Sequence, residues 1–360
     1  MEKPGLFTSF GIKGREIRNR IVFHPVVCFG FAGDDGMVTQ RNVDHYEQRS
    51  REGAGIVITE ATAIRPEGRI TSGQLGIWSD EHIEGLKKIS SIVKGNGALS
   101  LIQIHHAGLI GQLGVNPNPA GPSADPANPA SRELLRKEIE EIREAFHEAA
   151  IRAGKAGFDG VELHGAHGYL LNQFASSHIN FREDEYGRNL PGRLKLASLV
   201  IRDIRSSCGD EFIIGYRMGA NSPTLGDGIQ IAVYLEQQGI DLLHVSHGGN
   251  LRNLPRPPAD FPYNWIVFSG TEIRKHVDIP VIVVNEIKTP ERAAWLIENG
   301  LADFVALARP ILADPQWVGH VKNHGEINLC LSCKPRCKWF TDSRQCPAYL
   351  RLTGQPVSEG

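Results

Sequence analysis

Eight short apolar segments recur along this chain, at residues 21–23, 56–59, 99–104, 160–163, 213–217, 242–246, 281–284 and 304–307. They are mostly continuous in hydrophobicity rather than alternating, the pattern of parallel strands covered on both faces. Helical stretches separate them. The clearest runs from 134 to 153, with apolar residues at 134, 135, 139, 142, 146, 149, 150 and 153 in a one-sided stripe. Gly154 and Gly157 can end it. Eight such units predict an α/β fold, a closed (β/α)8 TIM barrel; the alternative is a doubly wound open sheet. A chain of 360 residues accommodates the barrel at 1–325 with a short cysteine-rich extension at 326–360.

Composition narrows the function classes. The formal net charge is −2 with 22% charged residues, so no basic excess favours nucleic acid. No stretch approaches the roughly 18 apolar residues of a membrane span. The first residues contain no apolar core of a leader segment, so a cytoplasmic location is expected. Small-molecule chemistry remains, and the strand ends favour it: His24-Pro25, Glu60, Gln103 to His106, His164, Arg217, His247, Asn285 and Arg309 all stand where strands of a barrel converge on one mouth. Two proline-rich loops follow the third and sixth strands. The one at 116–129 holds five prolines and is expected to cover the mouth; the one at 248–265 is expected to shape the substrate site.

The sharpest local motif is His164-Gly-Ala-His167-Gly-Tyr169-Leu at the end of the fourth strand. Two neutral imidazoles aimed at one point can donate to a carbonyl or to the oxyanion that develops from it, and the Tyr169 phenol can supply a proton. The rival reading is metal ligation by His164 and His167. Glu162 is the available third ligand, but we expect it to point away from His164. The other conspicuous cluster is Cys330-x2-Cys333-x3-Cys337-x8-Cys346, four thiols within 17 positions. Such an array suits an iron–sulfur cluster or zinc.

At this point the chain resembles the Old Yellow Enzyme family of FMN-dependent barrels. The likeness rests on Asn19-Arg20-Ile21-Val22, Gly76-Ile77-Trp78, Gln103-Ile-His-His-Ala-Gly108, Ala156-Gly-Phe-Asp159 and His164 to Leu170. It continues in Arg182-Glu-Asp184-Glu-Tyr186-Gly187 and Ala308-Arg-Pro-Ile-Leu-Ala-Asp-Pro315. The resemblance implies FMN bound without a covalent link, reduced by NAD(P)H, and passing a hydride to a small unsaturated substrate, an activated alkene. It also implies site roles. Pro25 and Val26 would offer backbone groups to the flavin and Ala61 would pack near it. Gln103 would bond its pyrimidine edge, and Arg217 would place positive charge beside that edge. Asn285, Ala308 and Arg309 would hold the phosphate. His164 and His167 would grip the substrate carbonyl, and Tyr169 would donate the proton.

Three positions depart from the family pattern. A cysteine or threonine commonly stands two residues after the proline; here that place is Val27, and Cys28 follows. Either the strand end bulges and brings Cys28 to the substrate, or the usual group is missing. The segment Gly187-Arg-Asn-Leu-Pro-Gly-Arg193 replaces a Gly-Gly-Ser-x-x-Asn-Arg run. The phosphate loop reads Asn285-Glu286 instead of glycines, and Glu286 is expected to point away from an anion.

The tail resembles the dienoyl-CoA reductase and trimethylamine dehydrogenase branch of the same family. That likeness implies a 4Fe-4S cluster on Cys330, Cys333, Cys337 and Cys346, with zinc the alternative. The branch normally continues into a second nucleotide-binding domain, so we expect an electron-transfer protein or another subunit as partner. A homo-oligomer is also expected. The alternative activity is a dehydrogenase or demethylase that oxidises an amine or alcohol and passes electrons out through the cluster.

Overall fold

The computed structural model describes every residue except 1–3, 52, 113, 250–253, 341 and 356–360. The eight apolar segments become β1 (Ile21–Phe23), β2 (Ile56–Ala63), β3 (Leu99–His105), β4 (Gly160–Gly165), β5 (Ile213–Gly219), β6 (Leu242–Ser246), β7 (Val281–Val284) and β8 (Phe304–Leu307). Each pairs in parallel with the next, and β8 returns to β1 to close the barrel. The open-sheet alternative is thereby excluded. Every residue of these strands is buried, which is why their hydrophobicity runs unbroken.

Helices cover the outside: α1 (Gln40–Ser50), α2 (Ile83–Gly95), α3 (Arg136–Lys155), α4 (Lys195–Cys208), α5 (Leu225–Gln237), α6 (Trp265–Arg274), α7 (Pro290–Glu298) and the short α8 (Trp317–Lys322). Their starts are written locally. Thr224 and Thr289 accept from the third amide of α5 and α7, and the Asn264 side chain accepts from Ile266 and Val267 at the start of α6. The stripe expected from 134 to 153 forms α3 two residues later. Leu134 is buried but lies outside the helix, its N–H donating to the Gly121 carbonyl at 2.8 Å. Gly154 lies inside the helix; the stop is Gly157, at φ 83°.

The two ends of the barrel differ. A hairpin of Phe10–Ile12 and Arg15–Ile17 plugs the N-terminal end. Its Ile12 and Ile17 pack with Val22, Ile58, Leu101, Ile213, Ile282 and Phe304 in one apolar cluster. Phe10 meets Phe304 edge to face at 5.1 Å. Each fully buried aliphatic side chain contributes about 1.5–3 kcal/mol, so this end is sealed and the C-terminal end is left for chemistry. The tail lies against that open end. Asn328 donates to the carbonyls of Ala313 (2.8 Å) and Ala348 (3.0 Å), and the buried Trp339 donates its indole N–H to the Val27 carbonyl at 3.0 Å. No helix among the described residues is long and apolar enough to cross a membrane.

Candidate active site

A cavity of about 530 Å³ opens at the C-terminal ends of the strands. One side is built by Gln103 of β3 and Arg217 of β5, the opposite side by Asn285, Ala308 and Arg309 after β7 and β8, and Pro25, Val26 and Ala61 lie along the wall between. Ala61 reaches it because β2 bulges: its register with β3 shifts between Thr59 and Thr62. His164, His167 and Tyr169 complete the lining. His167 is left-handed at φ 61° and Gly168 at φ 79°. This turn gathers the rings, so that His164 lies 5.0 Å from His167 and 4.9 Å from Tyr169 between centroids.

Burial sets the charge states. Desolvation, then the Arg217 guanidinium and neighbouring imidazoles, holds His167 well below the usual histidine range; His164 is held there by desolvation, His105 and Arg217. Both rings are therefore neutral donors. The Ala166 N–H donates to His164 Nδ1 at 3.4 Å, which leaves Nε2 to carry the hydrogen. His167 Nε2 pairs with the Ser246 hydroxyl at 2.8 Å. Burial pushes the Tyr169 phenol up to about 12, so it keeps its proton at neutral pH. Desolvation lowers Arg217 to about 10 while Glu162 opposes the shift, and the side chain stays cationic.

Residues 5–328 match the family described as NADH:flavin oxidoreductase / NADH oxidase. The chain belongs to that family. It is 40% identical to the NADH oxidase of Thermoanaerobacter brockii over 373 residues, covering 99% of this chain and 56% of that relative. It thus spans little more than half of that relative's length. The NADPH dehydrogenase of Geobacillus sp. (strain WCH70) is 37% identical over 318 residues, covering 87% and 92%. Among solved structures, a 2-naphthoyl-CoA reductase in complex with 2-naphthoyl-CoA superposes with a TM-score of 0.87 at 25% identity, covering 97% of this chain and 57% of that one. The Zymomonas mobilis old yellow enzyme homologue gives 0.79 at 27% identity, covering 94% and 99%.

The residues present fit the family's cofactor. Arg217 Nε is buried with no protein partner, aimed into the same space as Gln103, as a cation awaiting an anionic or carbonyl acceptor would be. Several expectations need correction. Glu162 does not point away from His164, because residues two apart on a strand share a face. It sits inside the barrel, where Gln103 Nε2 donates to it at 2.7 Å and His244 Nδ1 lies 2.8 Å away. Nor do His164, His167 and Glu162 form a metal set: among the described residues, the one trio of ligand atoms within 4.8 Å is Glu144, His147 and Glu148 on α3. Cys28 does not reach the substrate space. It is fully buried, its N–H donates to Glu60 at 2.6 Å, and Val27 and Phe29 line the cavity instead. Glu286 does not point away from the phosphate end; it lines the cavity beside Arg309.

The loops also differ from expectation. No residue of 116–129 lines the cavity; the segment pairs Ala120–Gly121 with Arg132–Glu133 and borders a smaller polar pocket with His106. Residues 250–253 of the loop at 248–265 lie outside the described residues, and none of the described remainder lines the cavity. Residues unforeseen in the sequence do line it. Lys288 enters from the loop after β7, and Trp339 and Phe340 come from the tail. Behind the lining, His105 packs edge to face on Tyr169 at 4.5 Å.

The four tail thiols surround one small space with Arg309, Leu312 and Trp339. Arg309, Leu312, Cys337 and Trp339 border the main cavity as well, so the two sites share a wall. No three of the thiols lie within 4.8 Å of one another. A tetrahedral zinc with Zn–S bonds of about 2.3 Å needs sulfurs about 3.8 Å apart.

The neutral histidines carry a stability consequence. Desolvation lowers His24, His45, His105, His106, His164, His167, His244 and His247, with His105 at about 3 and His106 at about 4. A depressed folded value means that the unfolded chain binds the proton first as pH falls. The stabilisation is complete above the unfolded value of about 6.5 and is lost below it. Glu60 works in the opposite direction: burial raises it to about 7, so its contribution is present at acid pH and lost as pH rises through neutrality. We predict a steep loss of urea resistance between about pH 6.5 and 4. His105→Phe removes one such proton and should recover on the order of 2 kcal/mol of that acid loss. An unchanged pH slope in the variant would contradict the assignment.

Proposed function

We propose that the cavity binds FMN across its full width and reduces a small activated alkene. The observation that supports this most is the convergence on one cavity of a buried cation and an amide, a second cation, neutral imidazoles and a phenol. When bound, FMN supplies a hydride donor, recharged by NAD(P)H. The chain's own residues do the rest. Gln103 and Arg217 would hold the flavin's pyrimidine edge, with the Arg217 cation beside that edge. His164 Nε2–H and His167 hold the substrate carbonyl and accept the charge that develops on its oxygen. Tyr169 keeps a proton in reach of the α-carbon. Pro25, Val26 and Ala61 exclude water along the wall, and Asn285, Ala308 and Arg309 hold the phosphate.

The four tail thiols Cys330, Cys333, Cys337 and Cys346 line one small space, which supports a 4Fe-4S site, with zinc the alternative. The wall it shares with the main cavity favours a second reading, in which electrons from an amine or alcohol substrate leave through the cluster to a partner protein.

An ultraviolet–visible spectrum of anaerobically purified protein, with iron, sulfide and zinc analysis, tests both sites. The expected result is flavin absorbance bleached by NAD(P)H, with iron and acid-labile sulfide in equal amounts. A colourless chain that refuses added FMN overturns the flavin reading, and bound zinc overturns the cluster. Turnover of an enone with NAD(P)H, set against oxidation of amines or alcohols with an artificial acceptor, separates the two directions.

A further inference from the structure

The phosphate end of the cavity already contains an anion. Glu286 Oε1 lies 3.3 Å from Arg309 Nη2 and 3.7 Å from Lys288 Nζ. All three side chains line the cavity. The carboxylate therefore stands between the two cations that an incoming phosphate would meet. A phosphate placed there must either displace Glu286 or accept a like charge at close range.

Displacement is open to it. The Glu286 side chain is 51% exposed, so it can swing into water without burying its charge. Ion pairs this exposed are weak and screened by salt. Lys288 is held where it is needed. Its ammonium also donates to the Ser332 hydroxyl at 3.0 Å, between Cys330 and Cys333 of the tail, and an ammonium has three donors to share.

We propose that Glu286 is a built-in competitor for the phosphate of the flavin, shielding Arg309 and Lys288 and so setting how strongly the site prefers FMN over riboflavin. This inference rests on the flavin reading of the cavity. Riboflavin carries the same ring and ribityl chain without the phosphate, so it reports on the rest of the cavity alone.

The test is a pair of titrations of the deflavinated full-length chain, with FMN and with riboflavin, followed by quenching of flavin fluorescence. Glu286→Gln keeps the shape and removes the charge; it should tighten FMN about fivefold, the upper range for an exposed ion pair, and leave riboflavin as in the wild type. Lys288→Met should weaken FMN by a similar factor, again without effect on riboflavin. Both differences should shrink at high salt. The proposal is overturned if Glu286→Gln leaves FMN affinity unchanged or lowers it, or if riboflavin affinity moves in parallel. Should the wild-type chain bind neither flavin, the reading of the cavity falls and takes this inference with it. Riboflavin binding with an unresponsive FMN constant removes the inference alone.

Discussion

Tyr169→Phe is expected to lower the turnover of an enone by about 10²- to 10⁴-fold, the usual contribution of a positioned proton donor, while leaving flavin content unchanged. The substitution is clean. Phenylalanine keeps the ring that His105 meets at 4.5 Å and His164 at 4.9 Å. Only the O–H is lost. Burial pushes that O–H up to about 12, so it is fully protonated at neutral pH and gives its proton only to a strong base such as a developing carbanion. The neighbouring imidazoles are poor substitutes. They are neutral, with His164 Nδ1 accepting from the Ala166 N–H and His167 Nε2 paired with the Ser246 hydroxyl. Steady-state kcat with the flavin-to-protein absorbance ratio checks the claim. Binding of a phenolic ligand should persist, because His164 and His167 are untouched. A variant that turns over near the wild-type rate would remove Tyr169 from the proton role, and loss of flavin would make it structural.

Much of this arrangement is legible along the chain because burial on both faces leaves an unmistakable trace. β6, β7 and β8 begin and end where their apolar segments do. Gln103 and Arg217 stand out as polar groups at the ends of such segments, and both line the cavity. Legibility fails where a polar group is buried and satisfied by something distant. β2 continues past Thr59 because the Glu60 carboxylate accepts from the Cys28 N–H and the Tyr46 hydroxyl, partners 32 and 14 residues away. The same bond withdraws Cys28 from the cavity, and so decides what its one-residue offset from the usual place after Pro25 had left open. Trp339 is a starker case: its partner, the Val27 carbonyl, lies 312 positions earlier, and no spacing rule connects them. Composition identified 116–129 as an irregular loop but carries no information on which side of the mouth it settles. Glu162 differs again, since its inward direction follows from the two-residue period it shares with His164 and was available in the sequence.

Glu162 is also where the second large effect is expected. Its carboxylate is 1% exposed and serves three groups at once. Gln103 Nε2 donates to Oε1 at 2.7 Å, His244 Nδ1 meets Oε2 at 2.8 Å, and its charge is the first influence opposing the desolvation of Arg217. Glu162→Leu leaves an amide hydrogen and an imidazole nitrogen buried without partners, and strands a buried guanidinium. Removing one partner of such a buried network costs about 3–5 kcal/mol, whereas Glu162→Gln keeps an acceptor and the volume and should cost about 1–3 kcal/mol. Urea unfolding at neutral pH would rank the two. The same pair tests how the flavin end is prepared. With Nε2 committed to Glu162, the Gln103 amide has its carbonyl oxygen left for the cavity, a suitable acceptor for the imide N–H of the flavin ring. Loss of that constraint in Glu162→Leu should weaken riboflavin and FMN by the same factor, and Glu162→Gln, which keeps the acceptor, should weaken them less. If Glu162→Leu proves as stable as Glu162→Gln, the carboxylate is not what holds these groups in place, and the preorganisation of the pyrimidine edge must come from the strands alone.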